Sequence, residues 1–562
     1  MKRFALISLF ALIVVAVYSF AGQPPAAIIN VLTWQYNNGR TGQNLHETIL
    51  TTTNVNATTF GKIFTYPVDG NIYAQPLYVG QLTVTGKGVH NVIFIATEND
   101  SVYAFDADSA TLNPTPLWYT NLTSPPNVIP YPCLDNHTAC TIYPTVGITG
   151  TPVIDRQTNT IYVVARTKEI VSGQSNPFYY ERLHALDLRT GKEKPGSPAT
   201  ICGDYAHTGQ GCAFTTGLFD PVMDGQRPGL LQEPTTGFPR GVIYIAFAGQ
   251  GMILAYDPVS LTRLADFMFT PHPTNTTGGG GIWAGVSGDA NGNVYVPVGD
   301  GTFDANVGGN NYGDSIVKLN LVSNGAGGYA LQVMDYFTPP DELCRQTNDI
   351  DLGSGTPVLL PPQPGSVPNL IVIAGKGSVP LCDAANPIYL VNADNLGGLG
   401  GGVQTIAGTS AKGYYSSAGY FSTGVANNVY IGGLVSSSLG DNFRQFRLVN
   451  GLFSPVTSVS KSPTGYLAGA TPVISASGTK QGIVWTIERP VLLWNEEATN
   501  NAILHAYSAT NLHAELYNSS MNSARDLAGP AVKFQPPMVI NGKVYVGTQT
   551  ELDVYGLCPC PQ

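Results

Sequence analysis

One hairpin recurs along this chain, and a recurring hairpin restricts the fold to a radial or stacked array of β-sheets. Val92-Ile93-Phe94-Ile95-Ala96-Thr97 leads into Ser101-Val102-Tyr103-Ala104-Phe105-Asp106. Val242-Ile243-Tyr244-Ile245-Ala246 leads into Ile253-Leu254-Ala255-Tyr256-Asp257. Ile161-Tyr162-Val163-Val164-Ala165 leads, after an insertion, into Leu183-His184-Ala185-Leu186-Asp187. Each copy is a strand, a turn, a second strand and an Ala-x-Asp ending.

A series of small-residue and proline openings sets the number of units. They begin at Ala74-Gln75-Pro76, Gly150-Thr151-Pro152, Arg227-Pro228-Gly229, Trp283-Ala284-Gly285, Gly355-Thr356-Pro357, Ser417-Ala418-Gly419, Ala470-Thr471-Pro472 and Gln535-Pro536-Pro537. Asn-Gly turns such as Asn291-Gly292 and Asn541-Gly542 precede β-rich runs, and such turns favour hairpins because both residues need positive φ. Eight openings predict an all-β, eight-bladed β-propeller. The last unit is short, so a strand near Phe60 to Tyr66 is expected to complete it and close the ring with N- and C-terminal strands. A β-solenoid is the rival, but its rungs are shorter than these units.

The composition agrees. Gly (64), Pro (41) and Tyr (29) are abundant and only 11% of the 562 residues are charged, a profile of short strands and turns. The net charge of −10 is unsuited to a phosphate backbone, so no nucleic-acid partner is expected. Lys2 and Arg3, an apolar stretch from Phe4 to Val17, and Ser19-Phe20-Ala21 read as a signal peptide spanning residues 1–21. The remainder, 22–562, reads as a single domain, secreted or periplasmic, with no membrane span after cleavage. Eight cysteines in an exported chain imply disulfides. Local pairing predicts Cys133 with Cys140, Cys202 with Cys212, and Cys344 with Cys382, leaving Cys558 and Cys560 at the end of the chain. No CxxCH occurs, so no haem is expected.

At its Ala-x-Asp endings the chain resembles the quinoprotein, or PQQ-like, propeller repeat. Ala104-Phe105-Asp106-Ala107-Asp108 with Trp118, and Ala185-Leu186-Asp187-Leu188-Arg189-Thr190-Gly191-Lys192, look like that repeat's tryptophan-docking motif. The resemblance implies that the Asp and Gly shape a turn and that the Trp packs between blades. Trp118 comes without the usual Gly, and Gly191 without a Trp. The family's alcohol dehydrogenases carry adjacent cysteines beneath the cofactor and a Glu, Asn and Asp around calcium; this chain has no Cys-Cys pair and no motif match to that trio. It looks more like the exported members of unassigned activity found in soil bacteria.

In a propeller, ligands meet the loops at one mouth of the central channel. Candidate ligand-binding residues there are Gln75, Glu98, Asn99, Arg166, Asp300, Asp351, Lys376 and Glu488, charges or amides beside apolar strands. Asp300, Asp304, Asp314, Asp349 and Asp351 could supply hard oxygen ligands to calcium. No catalytic set is recognisable: there is no G-x-S-x-G, HExxH or P-loop. The chain is therefore expected to be a binding or scaffold module, with a protein, a cell-envelope component or a polysaccharide as partner. A PQQ- and calcium-dependent oxidoreductase acting on an alcohol or sugar is the alternative, and a polysaccharide-active enzyme the second alternative.

Overall fold

The computed structural model describes residues 28–558 apart from internal stretches at 110, 112–113, 136–139, 175, 206–211, 215–217, 272–278, 378–381, 383–385, 409–412, 434–440, 466–469 and 490–498. The expected signal peptide and Cys560 lie outside the described residues.

Eight sheets of four to six strands and one two-stranded ribbon make up the described chain. Helix is confined to single turns and short segments such as Glu342–Thr347. The first strands of the eight sheets are Leu77–Val84, Val153–Asp155, Leu231–Thr235, Ser287–Gly288, Val358–Leu359, Gly419–Ser422, Val473–Ser477 and Met538–Ile540. Each lies at or just after one of the eight openings, where proline and small residues release the chain from the preceding loop. Seven sheets then continue as antiparallel hairpins in chain order. The eighth takes its fourth strand from far away: Phe60–Pro67 pairs antiparallel with Glu551–Leu557.

Apolar clusters join consecutive sheets. Tyr162 and Val164 of the second sheet share a core with Ile243 and Ile245 of the third. Val473 and Trp485 of the seventh pack with Val539 and Val544 of the eighth. Met538 and Val554 of the eighth pack with Leu77 and Val79 of the first. Side chains of this size contribute about 1.5–3 kcal/mol each when fully buried.

Three of the recurring tyrosines tie a sheet to the next. Tyr162 donates to the Pro258 carbonyl at 2.8 Å, Tyr295 to that of Ala393 at 3.3 Å, and Tyr430 to that of Ala509. These acceptors sit in the turns that end the following sheet's third strand. The incomplete tryptophan motifs complete one another across the same boundary. Trp118 donates to the Leu188 carbonyl at 2.8 Å and covers Gly191, where a Cβ would strike the indole. The repeat aspartates cap turns: Asp106 accepts from Asp108 N at 3.0 Å and Asp257 from Ser260 N at 2.7 Å.

A strap from Asn30 to Asn44 touches the first strand of every sheet. Asn30–Val31 pairs with Tyr78 and Val79. The Leu32 carbonyl accepts from Ile154 N, Asn38 donates to Gln232 O and accepts from Gly288 N, and Gly39 accepts from Leu359 N. Thr41 accepts from Tyr420 N, Gly42 from Ile474 N, and Asn44 donates to Val539 O. Arg40, fully buried, holds the strap by donating to Val286 O and Leu230 O.

The three predicted local disulfides are present: Cys133–Cys140, Cys202–Cys212 and Cys344–Cys382. Cys558 is also disulfide-bonded. Among the described residues no helix is long and apolar enough to cross a membrane. Disulfides persist in oxidising compartments, and these three fit a secreted or periplasmic protein.

Candidate ligand-binding cavity

The loops that precede the first strands, and those that follow the second strands, enclose a cavity of about 1180 Å³. Trp34 of the strap, Tyr131, the Cys133 end of a disulfide and Trp283 contribute its apolar walls. Arg166, Asp300, Asp349, Asp351 and Lys376 contribute its charges, together with Arg227, Asp220 and Asp224.

The densest group lies between the fourth and fifth sheets. Asp300 follows the strand Asn293–Pro297, Asp349 and Asp351 precede Val358–Leu359, and Lys376 follows Leu370–Ile373. Asp300, Asp349 and Asp351 each offer an oxygen within 4.8 Å of the others. Lys376 Nζ lies 2.5 Å from Asp351 and 2.7 Å from Asp349. Asp351 Oδ1 accepts from Asp300 N at 2.8 Å and from Trp283 Nε1 at 3.3 Å. Gly299 makes this approach possible, because a Cβ there would collide with Asp351 Oδ1.

Burial, then the hydrogen bond and negative charge of Asp351, push the Asp300 carboxyl up to about 9. Burial also acts against ionised Asp351, but Lys376 and the hydrogen bonds from Asp300 and Lys376 outweigh it and hold that carboxyl below its usual range. Burial disfavours the Lys376 ammonium, and Asp351 and Asp349 more than reverse the effect. The shifts hold Asp300 toward its protonated form, sharing a proton with Asp351 beside Lys376, and no N–H or hydroxyl donor reaches the buried Asp300 Oδ2. Two carboxylates that share a site and one proton can exchange that proton for a cation.

The remaining expected residues are spread more widely. Arg166 lines the cavity, lies 3.9 Å from the Tyr131 ring centre and donates to Pro221 O and Val222 O. Gln75 is buried behind the wall and accepts from Gln35 N at 2.9 Å. Glu98 accepts from Gly147 N at 2.6 Å and Thr149 at 3.0 Å, and burial pushes its carboxyl up to about 8. Asn99 bonds to Asp69 and Thr145, and Glu488 to His505 at 2.8 Å. Asp304 caps the loop at Asn311, and Asp314 accepts from Leu352 N at 2.9 Å, so neither joins the three clustered aspartates. Sequence reading passed over Arg227 and Trp283, whose guanidinium and ring lie 5.1 Å apart. Both stand in unit openings, which is the signal that could have marked them.

No family model and no curated protein matches the chain. Solved structures do. A quinohemoprotein alcohol dehydrogenase from Comamonas testosteroni superposes with a TM-score of 0.57 at 14% identity, covering 95% of this chain and 82% of that one. The quinohemoprotein alcohol dehydrogenase ADHIIG from Pseudomonas putida HK5 superposes with a TM-score of 0.55 at 11% identity, covering 95% and 81%. At such identities the likeness shows the fold: the chain has the propeller architecture of these quinoproteins.

Proposed function

We propose that the chain is a quinoprotein-type oxidoreductase whose cavity takes PQQ and a calcium ion and acts on an alcohol or sugar. The observation that carries this reading is the Asp300–Asp349–Asp351 set, buried at Asp300 and Asp351 and exposed at Asp349, with one lysine among three carboxylates, opening into a cavity large enough for a flat polycyclic ligand. The residues fit the groups. Asp300 and Asp351 would hold the cation, with Asp300 surrendering its proton, since no N–H or hydroxyl donor occupies the buried Asp300 Oδ2. Trp283 offers an aromatic face and Lys376 offers positive charge to an anionic cofactor. The quinone, when bound, would supply the two-electron acceptor that no side chain can.

The reading includes an eight-bladed closed ring. Its support is the strap, whose few residues reach the first strand of all eight sheets, and the core shared by the eighth sheet and the first. It also includes residues 22–562 as one domain and export through the segment 1–21.

The test is reconstitution of the purified chain with PQQ and Ca²⁺, followed by dye reduction over alcohols and sugars. Quenching of Trp283 emission on PQQ addition and substrate-dependent turnover lost in Asp351→Asn are the expected results. Absence of PQQ binding in the presence of calcium would end this reading.

A further inference from the structure

A second group of positive charges, the buried Arg489 and Lys533 and the half-buried Arg227, surrounds Tyr73 and Thr141. Arg227 follows the second sheet, Arg489 follows the second strand of the seventh, and Lys533 precedes the eighth. Arg227 donates to the Thr141 hydroxyl and Lys533 to the Thr141 carbonyl. Arg489 is 6% exposed, yet its Nε and one terminal nitrogen have no hydrogen-bond acceptor. Neither Arg227 nor Arg489 has a carboxylate within ion-pair distance among the described residues. Tyr73, Thr141, Arg227 and Phe534, the neighbour of Lys533, all line the cavity.

Such an arrangement is costly unless an anion completes it, because an arginine nitrogen removed from water without an acceptor loses its hydration. Burial pulls Lys533 down to about 7, and repulsion from Arg489 and Arg227 adds to it. Burial likewise lowers Arg227 to about 10. In the ring of eight sheets Arg489 and Lys533, at sheets seven and eight, lie three to four sheets away from the carboxylate group at sheets four and five, and Arg227, between sheets two and three, stands between the two groups against Trp283.

We propose that Arg227, Arg489 and Lys533 form an anion subsite for the substrate, so that the cavity takes a small alcohol bearing a carboxylate or phosphate. This deepens the oxidoreductase reading and rests on it only for the word substrate; the anion subsite itself needs no cofactor. A hydroxyl end would lie toward Asp351 and the anionic end toward Arg489.

Calorimetric titration of the cofactor-free chain with glucuronate, glucose 6-phosphate and glucose tests it. One or both anions are expected to bind at least about tenfold more tightly than glucose, and to weaken as NaCl rises from about 50 to about 500 mM. Arg489→Gln and Lys533→Met are expected to remove about tenfold of that preference while leaving the glucose response unchanged. Preference for the carboxylate or the phosphate identifies the anionic group. Equal binding of all three probes, insensitivity to salt, or variants that fold and bind the anions as the parent does would each overturn the subsite. Should the variants fail to fold, the parent's selectivity and salt dependence still decide. Loading with PQQ separates the two readings. If PQQ binds and glucuronate still binds, the subsite serves the substrate. If PQQ abolishes glucuronate binding, the cations serve the cofactor's own carboxylates and the proposal falls. If PQQ does not bind but the anions do, the oxidoreductase reading fails and the anion subsite stands.

Discussion

Two buried lysine–aspartate groups in this molecule share a local plan and differ in what surrounds them. Lys62 lies 2.6 Å from Asp553 and 3.4 Å from Glu551, where the strand from the N-terminal side joins the last sheet. Lys376 lies 2.5 Å from Asp351 and 2.7 Å from Asp349, at the cavity. In both, a fully buried carboxylate is shared with a more exposed one through a single ammonium. The other oxygen of Asp553 accepts from Gly529 N at 2.7 Å, so that group is complete in itself. Asp351 faces a third carboxylate, Asp300, and open volume. A buried ion pair alone is no mark of a site; surplus charge of one sign beside a cavity is.

The largest expected effect lies at the closed group. Lys62→Met strands Asp553 in the core, and urea unfolding should show a loss of about 3–5 kcal/mol with calcium affinity unchanged. Lys376→Met should cost less, because Asp351 borders the cavity, where water can replace the ammonium, whereas Asp553 does not; equal losses would erase the distinction. Next comes the surplus charge. Asp300→Ala should weaken calcium binding about 100-fold by calorimetry, while Asp553→Asn should leave it within about twofold.

The pH dependence sharpens the contrast. A carboxyl whose folded pKa exceeds its unfolded value, near 3.9, keeps an extra proton in the folded state. Stability therefore falls as pH rises through that window, by up to about 1.4 kcal/mol per pH unit for each group. Burial raises Asp553 to about 7 and Asp300 to about 9. Unfolding measured between pH 7 and 9 should lose part of its decline in Asp300→Asn and keep it in Asp553→Asn. Calcium binding at pH 7 should release a proton, visible as a buffer-dependent heat. The smallest effect belongs to the cation over the indole: Arg227→Gln should alter stability by about 0.5–1 kcal/mol and shift Trp283 emission.

Much of the architecture was legible because a repeat writes its period into the chain. The eight openings coincide with eight first strands, and the strand at Phe60–Pro67 does pair with the last strand of the chain. The paired motif halves, Trp118 and Gly191, looked defective only while each copy was read alone; the packing partner of a residue in one sheet lies in the next. The site was harder. Asp300, Asp349, Asp351 and Lys376 were visible as charges in a chain that has few. Their convergence, and the separation of Asp304 and Asp314 from them, depend on loop paths that hydrophobic alternation does not encode. Arg227, Arg489 and Lys533 come from three distant loops, so no window of sequence holds them together. The absence of adjacent cysteines points to a binding module, and the cavity with its charged lining is the observation that supports the oxidoreductase reading proposed above.

The crossing of the hub by residues 30–44 orders the making of the molecule. Asn44 bonds to Val539, nearly 500 residues downstream, so the strap cannot complete its contacts until the eighth sheet has formed. The part of the cavity wall that Trp34 supplies is thus fixed only when the strap is in place.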